Sequence, residues 1–245
     1  MELREKANIF WDDTQQLAVY PFSGTGIYIL AGGTIFIGTL QIMTGLPSYF
    51  FYVGIMITGI VGVFLSTYLS SYFISVMRAS VRGDTNPPDW PEFTHMGMNI
   101  LWPLYVVLFP GIVAFSPALI YLLCCFFFKC PTFILIMLIG VGALYHPMSL
   151  IASVMTSAPM NSVNLMGVVD SILEVREGYF TTELMLVCFV TAGVIAHIAI
   201  SVVFGTLTGP IIAGFALRFV HLYLLMVYAR ALGLFYRQYQ SELVW

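Results

Sequence analysis

Charge is what this sequence lacks. Only 9% of its 245 residues are Asp, Glu, Lys or Arg, against roughly 25% in an ordinary soluble domain. A surface so poor in charge does not stay in solution. The few charges are also unevenly spread: none occurs in residues 14–77, 93–128, 130–169 or 184–217. A bilayer-spanning helix needs only about 20 apolar residues, so runs of this length exclude a soluble enzyme or a secreted scaffold. The absence of a basic face excludes a nucleic-acid binder. Cysteine is scarce too. Cys124, Cys125, Cys130 and Cys188 lie in or beside apolar runs with no CxxC and no Cys/His metal spacing. They read as inert thiols, with a Cys124–Cys130 bridge unsupported by anything else.

Catalytic signatures are missing as well. The chain has no HExxH, GxSxG or GxxxxGK[ST] pattern, and no pair of carboxylates inside an apolar run. Gly24-Thr25-Gly26 is too short for a dinucleotide fingerprint, and no strand precedes it. The spacing of Asp84, Asp89 and Glu92 matches no cation loop. The sequence therefore reads as non-enzymatic, with neither a metal site nor a required cofactor.

What remains is apolar: 60% hydrophobic residues, 16% of all residues aromatic. The pattern predicts an all-α membrane bundle forming one domain over residues 1–245. Six spans are expected, at about 25–43, 49–77, 101–127, 132–154, 184–204 and 211–232. Two interfacial amphipathic segments accompany them. The first occupies residues 1–22, with a helix over 3–20; the second occupies 160–179, where Leu165, Val168, Val169, Ile172 and Leu173 share a helical face against Asp170, Glu174 and Glu177. The N-terminal MELREKANIFWDD mixes charges without an apolar core, so it does not read as a cleavable signal. A polar loop is expected at 78–96 and an amphipathic tail at 233–245.

With six spans, Arg4, Lys6, Arg78, Arg82, Arg176, Arg230 and Arg237 fall on one side and Lys129 alone on the other. Basic residues mark the cytoplasmic side, so both termini are expected there, in a prokaryotic inner membrane. Gly62, Ser66 and Ser70 recur every four residues on the second span, a spacing that suits close helix packing. On the third span Pro103, Pro110 and Pro117 recur every seven, so their rings share one side. Each proline inside a helix removes a backbone hydrogen bond; a kink or break is expected at Pro110 or Pro117, and an interruption at His146-Pro147 on the fourth span.

The stretches YPFSGTG (Tyr20–Gly26) and SVMRASVRGDTNPPDWPEF (Ser75–Phe93) resemble a domain-of-unknown-function family of small polytopic membrane proteins from bacteria and archaea. That family carries a Tyr-Pro-Phe-x-Gly opening and, two spans later, an Arg, a Gly and a proline-plus-acid loop. The resemblance implies a prokaryotic multi-pass topology and supplies no activity and no site residues.

One intramembrane feature stands out. Arg218 lies within the sixth span, His221 three residues on shares its face, and His197 on the fifth span falls at similar depth. His146 on the fourth span lies slightly nearer the cytoplasm. An Arg at that depth is costly and by default suggests a function. The expectation is that Arg218 faces the bundle interior or a protein partner with His197 and His221 nearby, bonded to carbonyls freed by the prolines, to a lipid phosphate, to an anionic solute or to an acid on a partner subunit. Haem ligation by the histidines is a minor alternative. Two functions follow. The leading one is a scaffold or accessory subunit of a membrane assembly, contacting lipids and other membrane proteins or further copies of itself. The alternative is a small permease or channel for an anionic or amphipathic solute, using the broken helices and Arg218.

Overall fold

The computed structural model describes residues 16–45, 51–91, 101–128, 131–207 and 210–245. Among these the chain forms α1 (Gly26–Gly45), α2 (Phe51–Arg82), α3 (Trp102–Phe127), α4 (Thr132–Thr156), α5 (Leu165–Glu174), α6 (Arg176–Leu207) and α7 (Pro210–Tyr239). Short 3-10 turns at Tyr20–Phe22 and Pro159–Val163 precede α1 and α5. The described residues contain no strand. In hydrocarbon every backbone group must be bonded within its own segment, which helices achieve. Five helices, α2, α3, α4, α6 and α7, are long and apolar enough to cross a membrane, so the chain is a multi-pass membrane protein. The apolar stretch of α1 with described side chains, Gly26–Leu40, is shorter.

The helices share one charged end. The start of α1 touches the loop after α2, where a Cβ on Gly26 would lie 2.9 Å from Pro87. Arg78 near the end of α2 reaches the end of α4, donating to the Val154 carbonyl at 3.3 Å and to Ser157 Oγ at 2.8 Å. It thereby caps a helix C-terminus, where the dipole favours a cation. Tyr105 at the start of α3 meets Met160 just beyond α4, and Gly178 at the start of α6 packs on Tyr239 at the end of α7. Arg78, Arg82, Asp84, Asp170, Glu174, Arg176, Glu177, Arg230 and Arg237 therefore gather at this end.

The core is concentrated there too. Tyr72, Val76, Met77, Met148, Ile151, Val154, Met226, Leu232 and Phe235 are fully buried. α7 packs against α1, α2 and α6, and α3 pairs with α4. Close approach of α2 and α7 depends on Gly233: a Cβ there would lie 2.5 Å from the Met77 carbonyl oxygen and 2.5 Å from Ser80 Cβ.

Several expectations need correction. The polar loop begins at Gly83 rather than at residue 78, because α2 stays helical through Arg82. Gly83, at φ +88°, ends it with bonds from its own N–H to Ser80 O and from Asp84 N–H to Ala79 O, a left-handed glycine stop. The helix expected to end at 232 continues to Tyr239, because Leu234 and Phe235 are core residues. Of the residues 160–179, only Leu165–Glu174 form a separate helix; Arg176 already opens α6. Asn164 caps α5, accepting from Gly167 N–H at 3.2 Å. The buried face of α5 is Gly167, Val168 and Ser171, while Leu165, Val169 and Leu173 point outward. The N-terminal helix expected over 3–20 falls mostly outside the described residues; its described end is a turn leading into Tyr20–Phe22, with Leu17 fully buried. Gly62 and Ser66 are exposed rather than packed, and a Cβ on Gly62 would meet nothing within 4 Å.

Neither α3 nor α4 is broken; each is continuous through its internal prolines. Serine hydroxyls take over the freed carbonyls of α3. Pro110 cannot donate to Val106 O, and Ser153 Oγ of α4 donates to it at 2.7 Å. Pro117 likewise frees Val113 O, and Ser116 Oγ donates there at 2.8 Å.

Candidate functional site

Antiparallel packing of α6 on α7 sets out the first site. Gly193 on α6 is small enough for Leu224 of α7 to lie against it. One turn further from the charged end, His197 faces His221, with ring centroids 5.6 Å apart. Arg218 is one turn beyond His221 on α7. At about 1.5 Å per residue, Arg218 lies about 12 Å, and the two histidines about 15–16 Å, from the uncharged ends of their helices. Both histidines are exposed on the flank of the helix pair, and Arg218 is half-buried. The cluster the sequence placed together is thus together, on a flank rather than in the interior.

Arg218 does not bond to the carbonyls freed by the prolines. Its Nε is buried with no hydrogen-bond partner, and among the described residues it forms no ion pair. The carbonyls freed in α3 are occupied by Ser153 and Ser116. One turn before Arg218 is Gly214, where a Cβ would meet nothing within 4 Å. Helical side chains lean toward the N-terminus, which on α7 is the side of this open position.

His146 belongs elsewhere. It sits between α3 and α7, its Nδ1 3.5 Å from the Tyr228 hydroxyl and its ring 6.0 Å from that of Phe115. Gly111 leaves room for its Nε2 edge. It does not join His197 and His221, so no set of three histidines converges on one point. No protein-family model matches the chain, and neither does any curated protein or solved structure.

A second feature was not apparent from the sequence. The segment after Gly83 turns back along α1 and α2. Ser23 Oγ donates to Thr85 O at 3.2 Å and Thr25 Oγ1 to Pro87 O at 3.4 Å. Trp90 then stacks on Tyr68 and Tyr72, with centroids 5.3 and 4.8 Å away, in the space left by Gly33, where a Cβ would lie 2.4 Å from the indole. Tyr68 Oη donates to Pro91 O at 3.2 Å. Beside this wedge is a cavity of about 390 Å³ lined by Tyr28, Gly32, Gly33, Phe36, Tyr68 and Trp90.

Arg230 pins the returning segment. It is 6% exposed, donates to the Asp84 carbonyl and lies 4.6 Å over the Tyr20 ring, a cation–π contact. Burial pushes the Tyr20 phenol above its ordinary pKa, with the neighbouring Arg230 charge opposing the shift. Arg230 reads from sequence only as a topology marker. The signal available was its place directly after the apolar run Leu222–Ala229, with no polar neighbour to carry it into water.

Proposed function

We propose that this chain is a non-enzymatic membrane protein acting as a scaffold or accessory subunit of a membrane assembly. The observation that carries the reading is Arg218, set among apolar residues beside His197 and His221 with its Nε unbonded. Leaving a guanidinium at that depth costs about 2.5–3.5 kcal/mol on the lenient insertion scale, a large share of an ordinary stability of roughly 5–15 kcal/mol. The cost is offset if the completing group comes from outside the chain.

The filled core at the charged end also favours packing over transport, since Met148, Ile151 and Met226 leave no exposed surface. The 390 Å³ cavity is lined by aromatic and glycine residues of α1, α2 and the returning loop, and Arg218 is not among them. On this reading α1 is a sixth span, both termini are cytoplasmic, and α5 lies at the interface with Leu165, Val169 and Leu173 toward lipid. The setting is the prokaryotic inner membrane of the family the chain resembles.

The test is isolation from the native membrane in lipid nanodiscs without detergent, followed by native mass measurement. An accessory subunit emerges with at least one further protein chain. Emergence alone, with transport of an anionic solute in vesicles, would replace the reading with the permease.

A further inference from the structure

The flank of α6 and α7 does more than leave Arg218 unbonded; its geometry defines what completes it. The site lies within the hydrocarbon, since a core about 30 Å thick extends well past a point about 12 Å from a helix end. Its charged and N–H-bearing groups are the Arg218 guanidinium and the imidazoles of His197 and His221. The complement of such a set is a carboxyl group, which accepts from a guanidinium through two parallel bonds. Gly214 keeps the approach to Arg218 open, since a Cβ there meets nothing within 4 Å, and small residues let helix backbones come close in membranes. Val190 and Val194, both exposed, continue the same flank of α6 toward the charged end.

A second copy of this chain does not supply that carboxyl. Copies in one bilayer share orientation and depth. The described acid furthest into a span is Glu183, seven residues into α6, about 10 Å from the charged end and about 21 Å short of His197. A lipid phosphate sits at the headgroup level, whereas a carboxyl on a helix is held at depth by its own backbone.

We infer that the α6–α7 flank receives a membrane-spanning helix of another protein, bearing one Asp or Glu at the level of Arg218, His197 and His221. The inference rests on the accessory-subunit reading and names the chemistry of the partner.

The test uses the full chain in phosphatidylcholine vesicles with a labelled leucine–alanine spanning peptide as probe, read by energy transfer. One peptide carries Glu about 12 Å from the uncharged side; a second carries Gln at that position, and a third carries Glu at the mirrored depth. The expected result is association about tenfold tighter for the matched Glu peptide than for either control, lost in Arg218→Leu and weakened in His197→Leu. Equal association of all three peptides with the wild-type chain overturns the inference without reference to any variant.

Native mass measurement separates the other occupants. A phosphate lipid, or a second copy, held by the wild type and released by Arg218→Leu overturns the inference in favour of that occupant. A foreign chain retained equally by wild type and Arg218→Leu overturns the inference and leaves the accessory reading standing. No foreign chain on the wild-type protein overturns both.

Discussion

The α3–α4 hairpin makes a quantitative test possible, because one side chain stands in for a hydrogen bond that proline has removed. Pro110 has no N–H, so Val106 O loses its helical donor, and Ser153 Oγ fills the gap at 2.7 Å. Val106 is 2% exposed and Ser153 0%, so water does not replace the hydroxyl. Ser153→Ala therefore strands a buried carbonyl, at about 1–3 kcal/mol by soluble-protein experience. Interhelical bonds in membrane proteins come out weaker, averaging about 0.6 and reaching about 1.7 kcal/mol, so a cost of about 1–1.5 kcal/mol is expected. The decisive comparison is Pro110→Ala, which restores an N–H one turn after Val106. In that background Ser153→Ala should cost less than about 0.5 kcal/mol, giving a coupling near 1 kcal/mol. Reversible unfolding by dodecyl sulfate titration in mixed micelles, monitored by near-ultraviolet circular dichroism, measures all four corners of the cycle. Equal costs in the two backgrounds would show that Ser153 is only filling space.

Three further perturbations probe the charged end. Arg230→Leu should cost about 2–3 kcal/mol, from a charge-assisted bond to Asp84 O and the contact with the Tyr20 ring; limited proteolysis should then cut within residues 83–91, where the wild type resists. Gly233→Ala forces a Cβ against the Met77 carbonyl and should cost about 1–3 kcal/mol, whereas Gly214→Ala, with nothing within 4 Å, should leave the unfolding midpoint unchanged. Tyr72 carries a buried hydroxyl with no hydrogen-bond partner, so Tyr72→Phe should hold or raise the midpoint; a drop of more than about 1 kcal/mol would mean that the hydroxyl has a polar partner.

The apolar runs of the sequence foretell helices because a lipid environment allows little else, and five of the spans are long enough to stand on that argument alone. Their limits were harder to read. Arg78 and Arg82 look like loop residues when charge is taken to mean water, yet Arg78 has helix-end carbonyl and hydroxyl acceptors within reach. The proline heptad was visible, but its consequence depends on what faces it. Ser153 is 43 residues from Pro110 in sequence and lies beside it only because α3 and α4 pair. The meeting of His197 with His221 followed from depth alone, whereas the flank on which they lie depends on which neighbours α7 acquires, and sequence periodicity is silent on that.

The same reasoning explains why the two ends of the bundle differ. At the charged end, polar atoms need partners and the chain supplies many of them: Arg78 takes the end of α4, Arg230 takes Asp84 O, and the amide of Val244 donates to Ser171 Oγ at 3.0 Å. Each such bond ties one segment to another, and the fully buried side chains collect around them. Away from the charged end the described residues offer few polar atoms to satisfy, and apolar side chains gain little by leaving lipid for one another. Phe126, Phe127, Phe133, Ile136, Ile195 and Val202 accordingly stay exposed. Arg218 is the exception to that rule. It brings to the loosely packed half the kind of demand that organises the charged end, and the chain places beside it two histidines and an open glycine but no acid. Among the described side-chain atoms buried without a hydrogen-bond partner, that of Arg218 is the one on a cationic group, and its bond is left for a neighbour.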